Sequence, residues 1–390
     1  MWFRPLLDCL KSQPSAAGVP RSSSLTTRRM LVEALEVRSV LSADPVGDFL
    51  STYTGPQNPG LDVVEHDVVL LEDRLVFSGR MAGAIAPTQE IGGLYLVGMD
   101  RGLGTPRFTT GTPPIGPNVR WDLIVRINPN GTGLVNNQIA GVITPLNPAD
   151  IRINGDEFTA SVPLSLLLPA ATRPPEEWTY NLWPRNGIVP GQNQNVSDLA
   201  PDDGNSPVRT VSPTRVESVV VNNGSAQRSM VGSLTVNFDG PVILDPGAFE
   251  LSRHDGSLIE LNVAASIVNG RTAAVLTFTG PGIIGGSLSD GNYTLTIRSD
   301  VVHDGYGRGL DGDGDGTAGG DRTDAFFRLY GDSDGDRDVD LLDLGRFLST
   351  FGRRPGDPRY QAYFDVNGDD RVGILDLLAL ARRVGTHLNA

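Results

Sequence analysis

The chain has 390 residues, with 47 glycines, 28 prolines, one cysteine and a formal net charge of −14. That length exceeds one ordinary core and calls for about two or three domains, while the acidity argues against a nucleic-acid partner, because no basic patch would outweigh that field. No apolar run is long enough to span a membrane, Cys9 alone allows neither an internal disulfide nor a thiolate metal site, and the glycine and proline content points to β-rich modules joined by tight turns.

Residues 1–44 do not read as a folded module. Glu33, Glu36 and Arg38 interrupt the apolar core that a signal peptide needs. The run Val32-Glu33-Ala34-Leu35-Glu36-Val37-Arg38-Ser39 resembles a short N-terminal tag on large modular exported proteins of environmental bacteria. A targeting leader, a short amphipathic helix and a disordered segment are the readings that stand.

Residues 45–206 carry period-two alternation. Strands are expected over Asp62 to Glu72, Arg74 to Met81, Leu94 to Met99 and Trp121 to Ile127, with tight turns at Asn130-Gly131 and Asn154-Gly155, and many short strands at this spacing make a β-sandwich or barrel. Trp178, Tyr180 and Trp183 are either a sugar-stacking platform for a polysaccharide or core-filling rings. The stretch from Ser197 to Asp203, together with Asp100, either lines one end of the sandwich or forms a solvated exit loop. The layout loosely resembles carbohydrate-binding β-sandwich modules. Residues 207–214, rich in proline and serine, read as a linker.

Residues 215–330 form a second β-module, with strands expected near 216–221, 233–238, 248–251, 260–265, 272–278 and 293–297 and turns at Asn223-Gly224, Asp239-Gly240, Asp255-Gly256 and Asn269-Gly270. Ser233 to Val242 and Gly291 to Ile297 resemble bacterial Ig-like repeats, which implies an Ig-like sandwich. Its end is acidic: Asp311, Asp313 and Asp315 alternate as the first ligands of a calcium loop do, but the twelfth position is Arg322, so closure would fall to Asp321 or Asp324. A third calcium site and an acidic flexible loop are the two readings here.

Residues 331–390 contain one pattern written twice. Asp332, Asp334, Asp336 and Asp343 stand at positions 1, 3, 5 and 12 of one loop, and Asp365, Asn367, Asp369 and Asp376 at those of the next, so that Asp343 matches Asp376 at an offset of 33. A hard cation taking six to eight oxygens needs this spacing. After each loop apolar residues recur at helical period, before Gly352 and before Gly385. The pair resembles the type I dockerin module. The resemblance implies two calcium ions in EF-hand-like loops, with Asp340 holding a water, the carbonyls of Asp338 and Arg371 completing the shells, and a cohesin-like domain as partner. Position 6 needs a left-handed backbone, yet holds Arg337 and Asp370, at a cost of roughly 1 to 2 kcal/mol for the arginine. Leu341-Leu342 and Ile374-Leu375 occupy the places of the family's partner-reading hydroxyl pair, and would either dock a receptor or pack on the neighbouring module, with Arg346 and Arg382 as a polar rim.

His66, His254, His303 and His387 are scattered, and no nucleophile or phosphate motif appears. The expectation is a mainly β chain, two sandwiches followed by a small helical calcium module, non-catalytic and exported, since calcium is scarce in cytosol. The alternative is an accessory protein that binds or degrades polysaccharide through residues 45–206, a glycoside hydrolase being the activity two carboxylates would allow.

Overall fold

The computed structural model describes residues 42–85, 93–189 and 191–389; the leader, apart from residues 42–44, lies outside them. Among the described residues the chain is mainly β, with three short α-helices, and no helix there is long and apolar enough to cross a membrane.

The first module is two sheets face to face, antiparallel along their main strand paths. One runs, in spatial order, Ser42–Ala43, Val63–Leu70, Arg74–Met81, Glu157–Pro163 and Ile151–Asn154; the other runs Ser206–Pro207, Thr179–Asn186, Gly93–Asp100, Leu123–Ile127, Gly133–Asn137 and Val142–Pro145. Alternation drives this arrangement: Leu123, Val125 and Ile127 turn inward to meet Val63, Phe77 and Phe158 in one dry core. Arg101 is wholly buried among them and is neutralised by Asp122, whose Oδ1 accepts from Arg101 Nε at 2.6 Å. Ser42–Ala43 already pairs with Glu65 and His66, so the module begins ahead of residue 45.

The stretch expected to be a linker is instead bonded into this module. Ser206–Pro207 pairs with Thr179 and Tyr180, and Arg209–Thr210 runs parallel to Val69 and Leu70. Buried Val208 and the 2.5 Å pair of Arg209 with Asp67 hold it there, an anchorage that proline-rich composition does not reveal.

The second module follows the expected strands closely: Val216–Val221, Ser233–Phe238, Phe249–Arg253, Leu258–Val268, Arg271–Thr279 and Gly291–Ile297. The eleven-residue strand Leu258–Val268 joins its two faces, pairing with Arg271–Thr279 along its length and with Phe249–Arg253 at its start. Arg322–Arg328, which lies in the acidic region, adds a strand against Gly291–Ile297. The chain then enters the terminal module without a spacer, because Phe327, Leu329 and Tyr330 belong to that module's core. The expected helices form over Leu341–Thr350 and Ile374–Ala381.

Candidate metal centre and docking surface

The two terminal loops are built on one hydrogen-bond frame. In the first, Asp332 Oδ1 accepts from Gly335 N at 2.5 Å and Oδ2 from Arg337 N at 3.0 Å; Asp343 Oδ1 accepts from Ser333 N at 2.9 Å and Oδ2 from Asp340 N at 2.9 Å. In the second, Asp365 Oδ1 accepts from Gly368 N at 2.9 Å, while Asp376 accepts from Val366 N at 2.9 Å and from Gly373 N at 2.7 Å. Each closing aspartate is the third residue of its helix and reaches back to the residue before that helix, the reciprocal half of a capping box. The helix start thus delivers the twelfth-position carboxylate to the loop.

The loops also interlock. Val339 exchanges hydrogen bonds with Gly385 and Thr386, beyond the second helix, and Val372 with Gly352 and Arg353, beyond the first. Each copy's loop is therefore completed by the other copy's exit. Phe347 and its counterpart Leu380 are buried together with Val339, Val372 and Phe364, and Tyr330 caps this core by donating its hydroxyl to Phe364 O at 2.8 Å. A core this small gains from being shared by both halves.

Arg337 and Asp370 have φ of 75° and 60°, the left-handed backbone expected at position 6. Arg337 offsets its strain with contacts: its guanidinium lies 4.3 Å over the Phe327 ring and donates to Asn292 Oδ1 at 2.9 Å.

Carboxylate oxygens of Asp332, Asp334 and Asp343 lie within 4.8 Å of one another, as do those of Asp338, Asp340 and Asp343. Asp334 Oδ1 and Asp338 Oδ1 are buried without a hydrogen-bond partner. Burial first, and neighbouring carboxylates after it, raise the Asp332 and Asp338 acids above the usual range. Hard oxygen donors with orphaned buried atoms fit a calcium ion. Asp336 is exposed, its Oδ1 accepting from Asp338 N at 3.1 Å, and the carboxylate of Asp338, a residue expected to contribute only its carbonyl, lies with those of Asp340 and Asp343. In the second loop Asn367 Nδ2 donates to Asp369 Oδ2 at 3.0 Å, and Arg371 is exposed.

Leu341, Leu342, Ile374 and Leu375 are 76%, 65%, 60% and 59% exposed, on the first turn of each helix, so they do not pack on the neighbouring module. Arg382 is exposed as well. Arg346 is committed to the loop, donating to Ser333 Oγ at 2.9 Å and pairing with Asp334 at 3.1 Å. The module rests instead on its own side: Arg228 N donates to Asp332 O at 3.0 Å, Ser229 Oγ to Tyr363 O at 2.7 Å, and Asp290 accepts from Arg328 at 2.5 Å and Arg383 at 2.6 Å.

The third acidic loop lacks closure. Asp311, Asp313 and Asp315 bring carboxylate oxygens within 4.8 Å, but Asp321 turns away to accept from Ser299 N at 2.9 Å and Asp324 pairs with Arg322 at 2.8 Å. The sugar-platform reading is also overturned. Trp178, Tyr180 and Trp183 are at most 1% exposed: the first two fill the core between the sheets, and Trp183 packs behind its sheet, 5.0 Å from the ring of Phe108 and 5.7 Å from that of Trp121. Both faces of the segment that carries these rings are covered where they stand, so none of the three is free to stack on a pyranose. Asp100 caps its own turn, accepting from Gly102 N and Gly104 N at 2.9 Å.

Paired loops closed by helix-start aspartates define a calcium-loop module of the EF-hand-like type. Residues 330–385 match the family model described as Dockerin type I domain, and this part of the chain is a type I dockerin. Dockerin domains bind calcium and dock cohesins within modular proteins. No curated protein matches the chain.

Proposed function

We propose that this is a non-catalytic, exported modular protein whose C-terminal dockerin takes up two calcium ions and docks a cohesin-like domain, the β-modules serving to present it. The observation that carries this reading is the repetition of one ligand frame at an offset of 33: Asp332 and Asp365 each accept from the amide three residues on, and Asp343 and Asp376 each accept from the second loop residue and from the residue before the helix. In the first loop Asp332, Asp334, Asp336, Asp338, Asp340 and Asp343 would hold the ion; in the second, Asp365, Asn367, Asp369, Asp376 and the carbonyl of Arg371. Calcium neutralises carboxylates that otherwise repel across a small core, so its binding contributes directly to folding. The exposed Leu341-Leu342 and Ile374-Leu375 pairs supply apolar anchors for the partner. Free calcium at the level such loops need supports an extracellular or cell-surface setting.

The test is retention of the full-length protein on an immobilised panel of cohesin domains, with calcium and with chelator. Calcium-dependent retention is expected, lost in Leu342→Glu/Leu375→Glu while helicity is unchanged. Failure to bind any cohesin, or binding indifferent to chelator, overturns the reading.

A further inference from the structure

We propose that the first β-module carries a divalent cation site of its own, of calcium type, held by the carboxylates of Asp44, Asp48, Asp62 and Asp198. The site is independent of the dockerin and does not rest on its function.

Carboxylate oxygens of Asp44, Asp48 and Asp198 lie within 4.8 Å of one another. Asp62 joins them through the turn between the first two, its Oδ2 accepting from Gly47 N at 2.8 Å. A second observation points to a ligand. Asp62 is only 2% exposed, yet its Oδ1 has no hydrogen-bond partner, and the same holds for Asp44 Oδ2 and for both carboxylate oxygens of Asp48. Buried acceptors in folded proteins are satisfied as a rule, and four orphaned oxygens at one spot require a donor or a cation. The neighbouring charges that act on Asp44 are Asp198, Asp48, Asp202 and Asp62, all negative. Burial first, and these neighbours after it, push the Asp44 acid up to about 8; burial first, with Asp48 and Asp62 after it and against the amides of Val63 and Leu199, pushes the Asp198 acid up to about 7.

The donor set selects the metal. It holds oxygen only, with neither imidazole nor thiolate, which suits a hard cation rather than zinc. Several carboxylates converging on one point favour calcium over magnesium, which keeps most of its waters.

Position in the fold gives the site its purpose. Asp62 leads into Val63–Leu70 of the first sheet; Val63 N donates to Asp198 Oδ2 at 2.8 Å. Asp198 lies in a segment bonded to the second sheet, with Ser197 N donating to Pro184 O at 3.1 Å and Ala200 exchanging bonds with Leu182. Asp44 and Asp48 come from the entering segment, tied down where Leu50 N donates to Ser197 O at 2.9 Å. A cation here clamps the entering chain and both sheets at one end of the sandwich. Of the two readings of the stretch from Ser197 to Asp203, its start lines this end of the sandwich, with Ser197 and Asp198 fully buried, while Asp202 and Asp203 are exposed.

Native mass spectrometry of the full-length protein in calcium counts the ions. Asp48→Asn is the informative variant, since its carboxylate makes no hydrogen bond that the substitution would remove; Asp44→Asn guards against a folding defect private to one variant. Both are expected to hold one calcium fewer than the wild type. Asp332→Asn/Asp365→Asn is expected to keep this ion, so a failure of the dockerin loops reads separately. An unchanged count in both Asp48→Asn and Asp44→Asn overturns the proposal.

Discussion

The loop at Asp311 and the loop at Asp332 begin alike and end differently. Asp311 Oδ1 accepts from Gly314 N at 2.7 Å and Oδ2 from Gly316 N at 3.0 Å, the same frame that Asp332 makes three and five residues on. Asp315 receives Thr317 N as Asp336 receives Asp338 N. The divergence comes at closure: after Asp332 a helix begins and carries Asp343 back to the loop, whereas after Asp311 the strand Arg322–Arg328 begins and carries its carboxylates away. The neighbours differ too. The Asp311 loop is clasped by backbone, with Gly312 N bonded to Gly319 O, and by Glu72 of the first module, which accepts from Ala318 N at 2.8 Å. Five residues of correct spacing shape a loop, and the element that follows decides whether it closes around an ion.

The widest gap between the two loops is expected from removing the aspartate that each would use for closure. Asp343→Ala strips the acceptor from two amides and the loop of its closing ligand, and should lower calcium affinity there at least about 100-fold, or about 2.7 kcal/mol, with loss of exchange protection in Leu341–Thr350. Asp321→Ala should cost only about 1 kcal/mol, through Ser299, and leave calcium titrations unchanged. Equal effects on calcium would erase the distinction.

A smaller contrast lies in two equivalent glycines. A Cβ on Gly335, where φ is 84°, would lie 2.3 Å from Ala226 O, while one on Gly314, where φ is 78°, meets nothing within 4 Å. Gly335→Ala should therefore destabilise by roughly 2 to 3 kcal/mol in denaturant melts, combining backbone strain with a steric clash, and Gly314→Ala by about 1 kcal/mol from strain alone. Comparable losses would mean that the first dockerin loop is not seated against the second module.

The least change is expected from adding a carboxylate at the missing position. Arg322→Glu puts an acid at the twelfth place, but on a strand pairing with Ile297, and should add no calcium in a titration. A gained ion would show that spacing alone suffices.

Much of this was legible from the chain. The second module's strands appear within a few residues of their alternation, the two terminal helices occupy their apolar periods, and the positive φ at Arg337 and Asp370 sits where the loop count put it. These are local matters, set by period, turn chemistry and the number of residues needed to wrap a cation. The aromatic trio shows where locality ends. Period two placed Trp178 and Tyr180 on one face and Trp183 on the other, but whether either face meets solvent depends on what covers it, and Phe108 and Trp121 arrive from far along the chain.

The sequence by itself determined the paired dockerin loops, because their ligands, helices and offset are all written within sixty residues. Tertiary structure alone decided that the Asp311 loop stays open, that residues 206–210 pair first with one sheet of the first module and then with the other, and that Asp44, Asp48 and Asp198 converge beside Asp62. The last are separated by up to 154 positions, and no period or motif links them. They meet because two sheets fold face to face and the entering chain crosses one end.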